Sequence, residues 1–181
     1  LIDGMTNALS KGKVTGPPLS LDIQNVKTAE LEKVITKSEG VGCCTDLSKS
    51  LLSMCKSVVA LRYATKDKNW SRIEEALGAE NFKQVGDNDV CCAEVLAVRA
   101  AFEEYQVLQS LKHGLQEGRP IKRPENEGNN LDLSTADTAR LEEALSKANE
   151  LGCKTQSSIS MKALAERTLN IRRCLECGEL K

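Results

Sequence analysis

Two cysteines three residues apart stand near the carboxyl-terminal end of the sequence, in Cys174-Leu175-Glu176-Cys177. A CxxC pair can work as a redox dithiol or supply half of a tetrahedral zinc site. Zinc would need two further ligands. The sequence has no second CxxC, and its one histidine, His113, lies in a different segment. A covalent haem link would need His after the second cysteine, where Gly178 stands. Cys174 and Cys177 are therefore weak metal candidates, and no cofactor is expected.

The other cysteines are Cys43-Cys44, Cys55, Cys91-Cys92 and Cys153, which makes eight. Adjacent cysteines seldom bond to each other, because the ring would strain the peptide between them. A chain of 181 residues can build a core without disulfides. Most of these thiols are expected to be reduced and to pack as small hydrophobes. Cys43 recurs as Cys153 in a repeated stretch described below, which points to a packing role at a helix corner.

Other residue types offer little chemistry. The carboxylate pairs Glu74-Glu75, Glu103-Glu104 and Glu142-Glu143 fall on predicted helix surfaces. A di-iron site in a helical bundle would need Glu-x-x-His, and none occurs. There is no phosphate-binding loop, no GxSxG and no HExxH. The one basic cluster, Lys112, His113, Arg119, Lys122 and Arg123, is diluted by Glu117, Glu125 and Glu127, as in a solvated loop. Asn69-Trp70-Ser71 matches a glycosylation sequon by chance, because Trp70 opens a predicted helix.

Global charge narrows the partners. Against 25 basic residues stand 26 acidic ones, a formal net charge of −1, so nothing draws the whole chain to nucleic acid or an anionic membrane. Aromatic residues are 3%, too few for a base-stacking platform. The longest clear apolar run, Val58-Val59-Ala60-Leu61, is far short of a membrane span of roughly 18 residues. The sequence starts at Leu1 rather than Met, as a processed form or a fragment would.

The elements behind these residues are organised by a repeat. Residues 28–45 read TAELEKVITKSEGVGCCT, and residues 138–155 read TARLEEALSKANELGCKT. At the offset 138 − 28 = 110, without gaps, 8 of the 18 positions are identical: Thr28, Ala29, Leu31, Glu32, Lys37, Gly42, Cys43 and Thr45. The first copy predicts a helix over 25–38, ended by Gly40 and Gly42, then a helix over 47–64 capped by Thr45 or Asp46. In that second helix Leu47, Leu51, Met54, Val58 and Leu61 are spaced 4, 3, 4, 3, a heptad-like seam expected to be buried.

A second hairpin is predicted from Asn69, through Trp70, Ile73 and Leu77, to a long helix over 90–112. Its seam is Cys91, Val95, Val98, Phe102 and Tyr105. The third hairpin starts at Ser134 or Thr135 and continues in a helix over 156–177, with Met161, Leu164, Thr168, Ile171 and Leu175 as its seam. Two segments lack periodicity. Residues 1–24 form an extended arm with Pro17 and Pro18 and a short helix near residues 5–10. Residues 113–133 form a long loop rich in Gly, Pro and Asn.

The expected fold is all-α: three αα-hairpin repeats, each a short then a longer helix, stacked as a small solenoid or closed as an up-and-down bundle. The arm covers 1–24, two hairpins 25–112, the loop 113–133 and the third hairpin 134–181. The expected function is that of a soluble, non-enzymatic scaffold or linker subunit, binding protein partners within a larger assembly. An organellar or photosynthetic setting, after removal of a presequence, fits the missing Met, as does peripheral contact with a membrane complex. Because stacking uses the helix stripes, partner contact is assigned to the arm and loop, at Pro17, Pro18, Arg119, Lys122 and Arg123. The alternative is a thiol-redox or metal-binding helical module using the cysteines.

Overall fold

The structure, a computed structural model, describes residues 1–11, 28–83, 92–116 and 138–177. Among these residues the chain is all-helical, with eight helices and no strand. It divides into two compact units, Leu1–Phe102 and Glu103–Lys181.

In the first unit α1 (Ile2–Leu9), α2 (Thr28–Val41), α3 (Asp46–Lys66), α4 (Trp70–Leu77), the one-turn α5 (Glu80–Lys83) and the first part of α6 (Cys92–Gln116) share a core. The short helix expected near residues 5–10 is α1, which starts earlier, at Ile2. Met5, Ala8 and Leu9 recur at helical spacing and are buried, so α1 packs on α2 and α3. The rest of the expected arm, with Pro17 and Pro18, lies outside the described residues.

Local signals set the element boundaries. Gly42 takes φ +81°, a left-handed conformation that ends α2 at little steric cost. Thr45 then caps α3: its hydroxyl accepts from the Ser48 N–H at 3.2 Å, and Ser48 Oγ accepts from the Thr45 N–H at 3.2 Å. Asn69 caps α4 by accepting from the Arg72 N–H at 3.1 Å. Largest in the core are Phe82, Met5, Leu31, Leu61 and Ile73. Trp70 and Phe102 add a tilted aromatic pair with centroids 6.5 Å apart. Across the core Arg62 Nε and Nη2 donate to Glu94 at 2.8 and 2.9 Å, a bidentate pair buried on both sides. Arg62 Nη1 has no hydrogen-bond partner among the described residues.

In the second unit the later part of α6, α7 (Thr138–Leu151) and α8 (Gln156–Glu176) enclose Leu111, Leu141, Ala144, Leu145, Ala148, Ala165 and neighbouring apolar residues. Here α6 runs on to Gln116, four residues past the expected end at 112. Gly114 was expected in a loop but sits in the last helical turn, where a Cβ would lie 3.1 Å from Leu141 Cδ1. Its missing side chain lets α6 approach α7. The remainder of the expected loop, with Arg119, Lys122 and Arg123, lies outside the described residues.

The hairpins α2–α3 and α7–α8 correspond position for position at the offset of 110. Their helices have the same lengths, 14 and 21 residues. Gly42 and Gly152 both take positive φ, +81° and +68°. Leu31 and Leu141 are fully buried, as are Cys55 and Ala165.

Candidate partner-binding surface

Cys174 sits half-buried in the last turns of α8, and Cys177 is exposed one residue beyond the helix. Both are outside any disulfide, as are Cys43, Cys44, Cys55 and Cys153. Among the described residues no three His, Cys, Asp or Glu side chains gather closely enough to hold a metal ion. The Cys43 thiol faces the Ser38 carbonyl at 3.9 Å, and the Cys153 thiol faces the Ala148 carbonyl at 3.7 Å. Each lies half-buried at the corner of its hairpin, where a small polarisable side chain packs against the end of the preceding helix.

The carboxylate pairs do not all behave as surface residues. Glu104 was expected on a helix surface but is buried, and the other end of its bonds lies in the α7–α8 corner. Its Oε1 accepts from the backbone N–H groups of Lys154 and Thr155 and from the Thr155 hydroxyl, each at 3.0 Å. The Ser158 hydroxyl donates to the same oxygen. Burial penalises the charged form, but the hydrogen bonds from Ser158, Thr155 and Lys154 outweigh it and hold the carboxyl below its ordinary value. The negative charge also faces the positive end of the α8 dipole. This is a structural anchor, saturated by its donors. At the matching corner of α2–α3 Thr45 is exposed, and Ser48 turns back on Thr45 instead.

Exposed apolar side chains are the more informative surface feature. Val41 and Leu47 flank the first corner, 67% and 60% exposed. Leu151 and Ile159 stand exposed near the second corner. On α8 the expected seam is not closed: Leu164 is 50% and Ile171 55% exposed, and Met161 is only half-buried. The side that α8 does bury carries Ser158, Ala165, Leu169 and Arg172. These follow at spacings 7, 4 and 3, a different stripe of the same helix. Arg172 Nη1 donates to the Gly114 carbonyl at 3.4 Å.

On α3 the matching stripe is closed. Val58 and Leu61, the counterparts of Thr168 and Ile171, are buried, and Met54, the counterpart of Leu164, packs against the core. Both α4 and α5 pack on α3, and Asn81 Nδ2 donates to Ser53 Oγ at 2.9 Å and Ser57 Oγ at 2.8 Å. Sequence spacing identified the apolar residues of both helices. It did not distinguish the covered stripe from the open one, because the covering element lies elsewhere in the chain.

No helix among the described residues is long and apolar enough to cross a membrane. Comparison with family models, curated proteins and solved structures finds no match.

Proposed function

We propose that the protein is a non-enzymatic helical scaffold or linker subunit that joins proteins within a larger assembly. The observation that supports it is the set of large apolar side chains left exposed on helix ends and on α8: Val41, Leu47, Leu151, Ile159, Leu164 and Ile171. Scattered single apolar residues are ordinary on protein surfaces, but a helix presenting two on one stripe suits burial against another protein. The reading includes three αα-hairpins as copies of one unit, stacked as a solenoid or closed as a bundle. The matching lengths, glycine turns and cysteines of α2–α3 and α7–α8 support two of those copies. Pro17, Pro18, Arg119, Lys122 and Arg123 remain its proposed arm and loop contacts, and an organellar or photosynthetic assembly its proposed setting.

The test is size-exclusion chromatography of a gentle native extract, followed by mass spectrometry of the fractions that carry the chain. A scaffold subunit elutes with fixed companions, well ahead of a lone 19.7 kDa chain. Elution alone from the native source removes the proposal. The second reading, a thiol-redox or metal-binding module, draws on Cys174 and Cys177, free and three residues apart at the end of α8. Stoichiometric zinc in the freshly isolated protein, or a reversible disulfide between these two, would favour it instead.

A further inference from the structure

We propose that the α8 face carrying Leu164, Arg167 and Ile171 docks a short amphipathic helix of another protein, one that places a carboxylate opposite Arg167. The proposal rests on the scaffold reading and gives it a surface and a kind of partner. The internal correspondence shows what such a face holds. At the offset of 110, Leu164, Arg167 and Ile171 stand where α3 has Met54, Ser57 and Leu61. On α3 that stripe lies under the chain's own α4 and α5, in one core cluster with Ile73, Leu77 and Phe82. On α8 the same stripe stays open, with both aliphatic side chains about half exposed. The two stripes share a local frame: a 21-residue helix that follows a left-handed glycine and a threonine whose hydroxyl accepts from the N–H three residues on.

The differences between the stripes define the partner. Apolar bulk is kept, Met54 to Leu164 and Leu61 to Ile171, so the occupant needs an apolar face like that of α4, where Ile73 and Leu77 are one turn apart. The polar flank changes. Ser57, which accepts from Asn81 Nδ2, becomes the exposed Arg167. An amide would leave that guanidinium's charge unbalanced under the docked helix, whereas a carboxylate neutralises it and sets the register. A second copy is a poor source for the helix, because its α4 is already committed: Ile73 is 1% exposed in the first unit. A partner chain supplies it more readily, through helix-in-groove recognition.

The probe is a fluorescein-labelled peptide of residues 69–83, stapled between positions 71 and 75, which are exposed in the folded chain and so leave the apolar face free. It is titrated with the full-length protein by fluorescence anisotropy, beside an Asn81→Glu form of the peptide. The Asn81→Glu peptide should bind roughly tenfold more tightly than the parent, the scale of one well-placed charge pair. Leu164→Asp and Ile171→Asp in the protein should each weaken binding at least roughly tenfold, as loss of a central apolar anchor does. Because both side chains are half exposed, circular dichroism melts of these variants should stay close to the parent. Arg167→Ser should erase the preference for the Asn81→Glu peptide.

No binding by either stapled peptide overturns the proposal, and so does binding that Leu164→Asp leaves unchanged. Concentration-dependent dimerisation abolished by Leu164→Asp would assign the face to a second copy and overturn the partner named here. The scaffold reading falls separately, if the chain elutes alone from native extract. Retained native companions with no peptide binding would remove this face and leave the scaffold.

Discussion

Glu104 shows how far a side chain's neighbours can alter its role. It is one of two adjacent glutamates on a helix, yet it is buried and accepts four hydrogen bonds at the start of α8. Removing its charge while leaving those donors buried should be costly. Glu104→Gln is expected to destabilise the fold by about 1–3 kcal/mol, the usual range for leaving buried donors poorly satisfied. Glu143→Gln, on the exposed face of α7, should unfold close to the parent's urea midpoint. Urea unfolding of the two variants measures the difference.

The same carboxyl has a pH signature. Its folded-state pKa lies below the unfolded value of about 4.3, so between the two the unfolded chain binds more protons. Its contribution is complete above about pH 4.3 and is lost as pH falls through the lower, folded value. Parent and Glu104→Gln stabilities should therefore converge as urea titrations move to acid pH. Gly114 is the other sensitive position. A Cβ there would meet Leu141 Cδ1 at 3.1 Å and Leu141 Cα at 3.3 Å. Gly114→Ala gains helix propensity but crowds the α6–α7 approach, and is expected to lose about 1–3 kcal/mol by thermal melting.

At the scale of elements, α3 and α8 are helices of equal length whose corresponding apolar residues have different surroundings. Leu61 is fully buried and its counterpart Ile171 is not. Leu61→Ala should cost about 2–5 kcal/mol, as buried leucines do. Leu164→Ala, on the open stripe, should stay below about 1 kcal/mol, because much of that side chain already meets water. Equal losses in melting experiments would mean that the α8 stripe is covered. The seam of Leu47, Leu51, Met54, Val58 and Leu61 is likewise only partly a core: Leu47 is exposed at one end, and Val58 and Leu61 are buried at the other. A heptad spacing marks residues that share a side of the helix. Burial requires a second element on that side, and for α3 its source is α4 and α5, folded back through the tight turn at Lys68 (φ 52°).

For the whole molecule, each of the two units holds a buried apolar core of its own. Cys43, Cys44, Cys55, Cys153, Cys174 and Cys177 are outside any disulfide, and Cys55 is fully buried in the first core. Thiol titration in denaturant without added reductant should therefore find at least six reactive thiols per chain. Without denaturant, Cys55 should react far more slowly than Cys44 and Cys177, which are exposed. A count of four or fewer would show disulfides and would support the thiol reading over the scaffold.

Much of the architecture is written locally. Apolar spacing marked the helices, Gly42 and Gly152 marked their ends, Thr45 marked a cap, and the repeated stretch tied α2–α3 to α7–α8. These features act within a few residues along the chain, through backbone conformation, capping hydrogen bonds and helical period, so sequence alone sufficed for them. Tertiary structure decided that α1 belongs to the first core, that Glu104 anchors a helix 50 or more residues away, and that one apolar stripe is covered while its counterpart is open. Each depends on a partner distant in sequence. Periodicity states which residues share a face, whereas burial depends on which element comes to lie on that face.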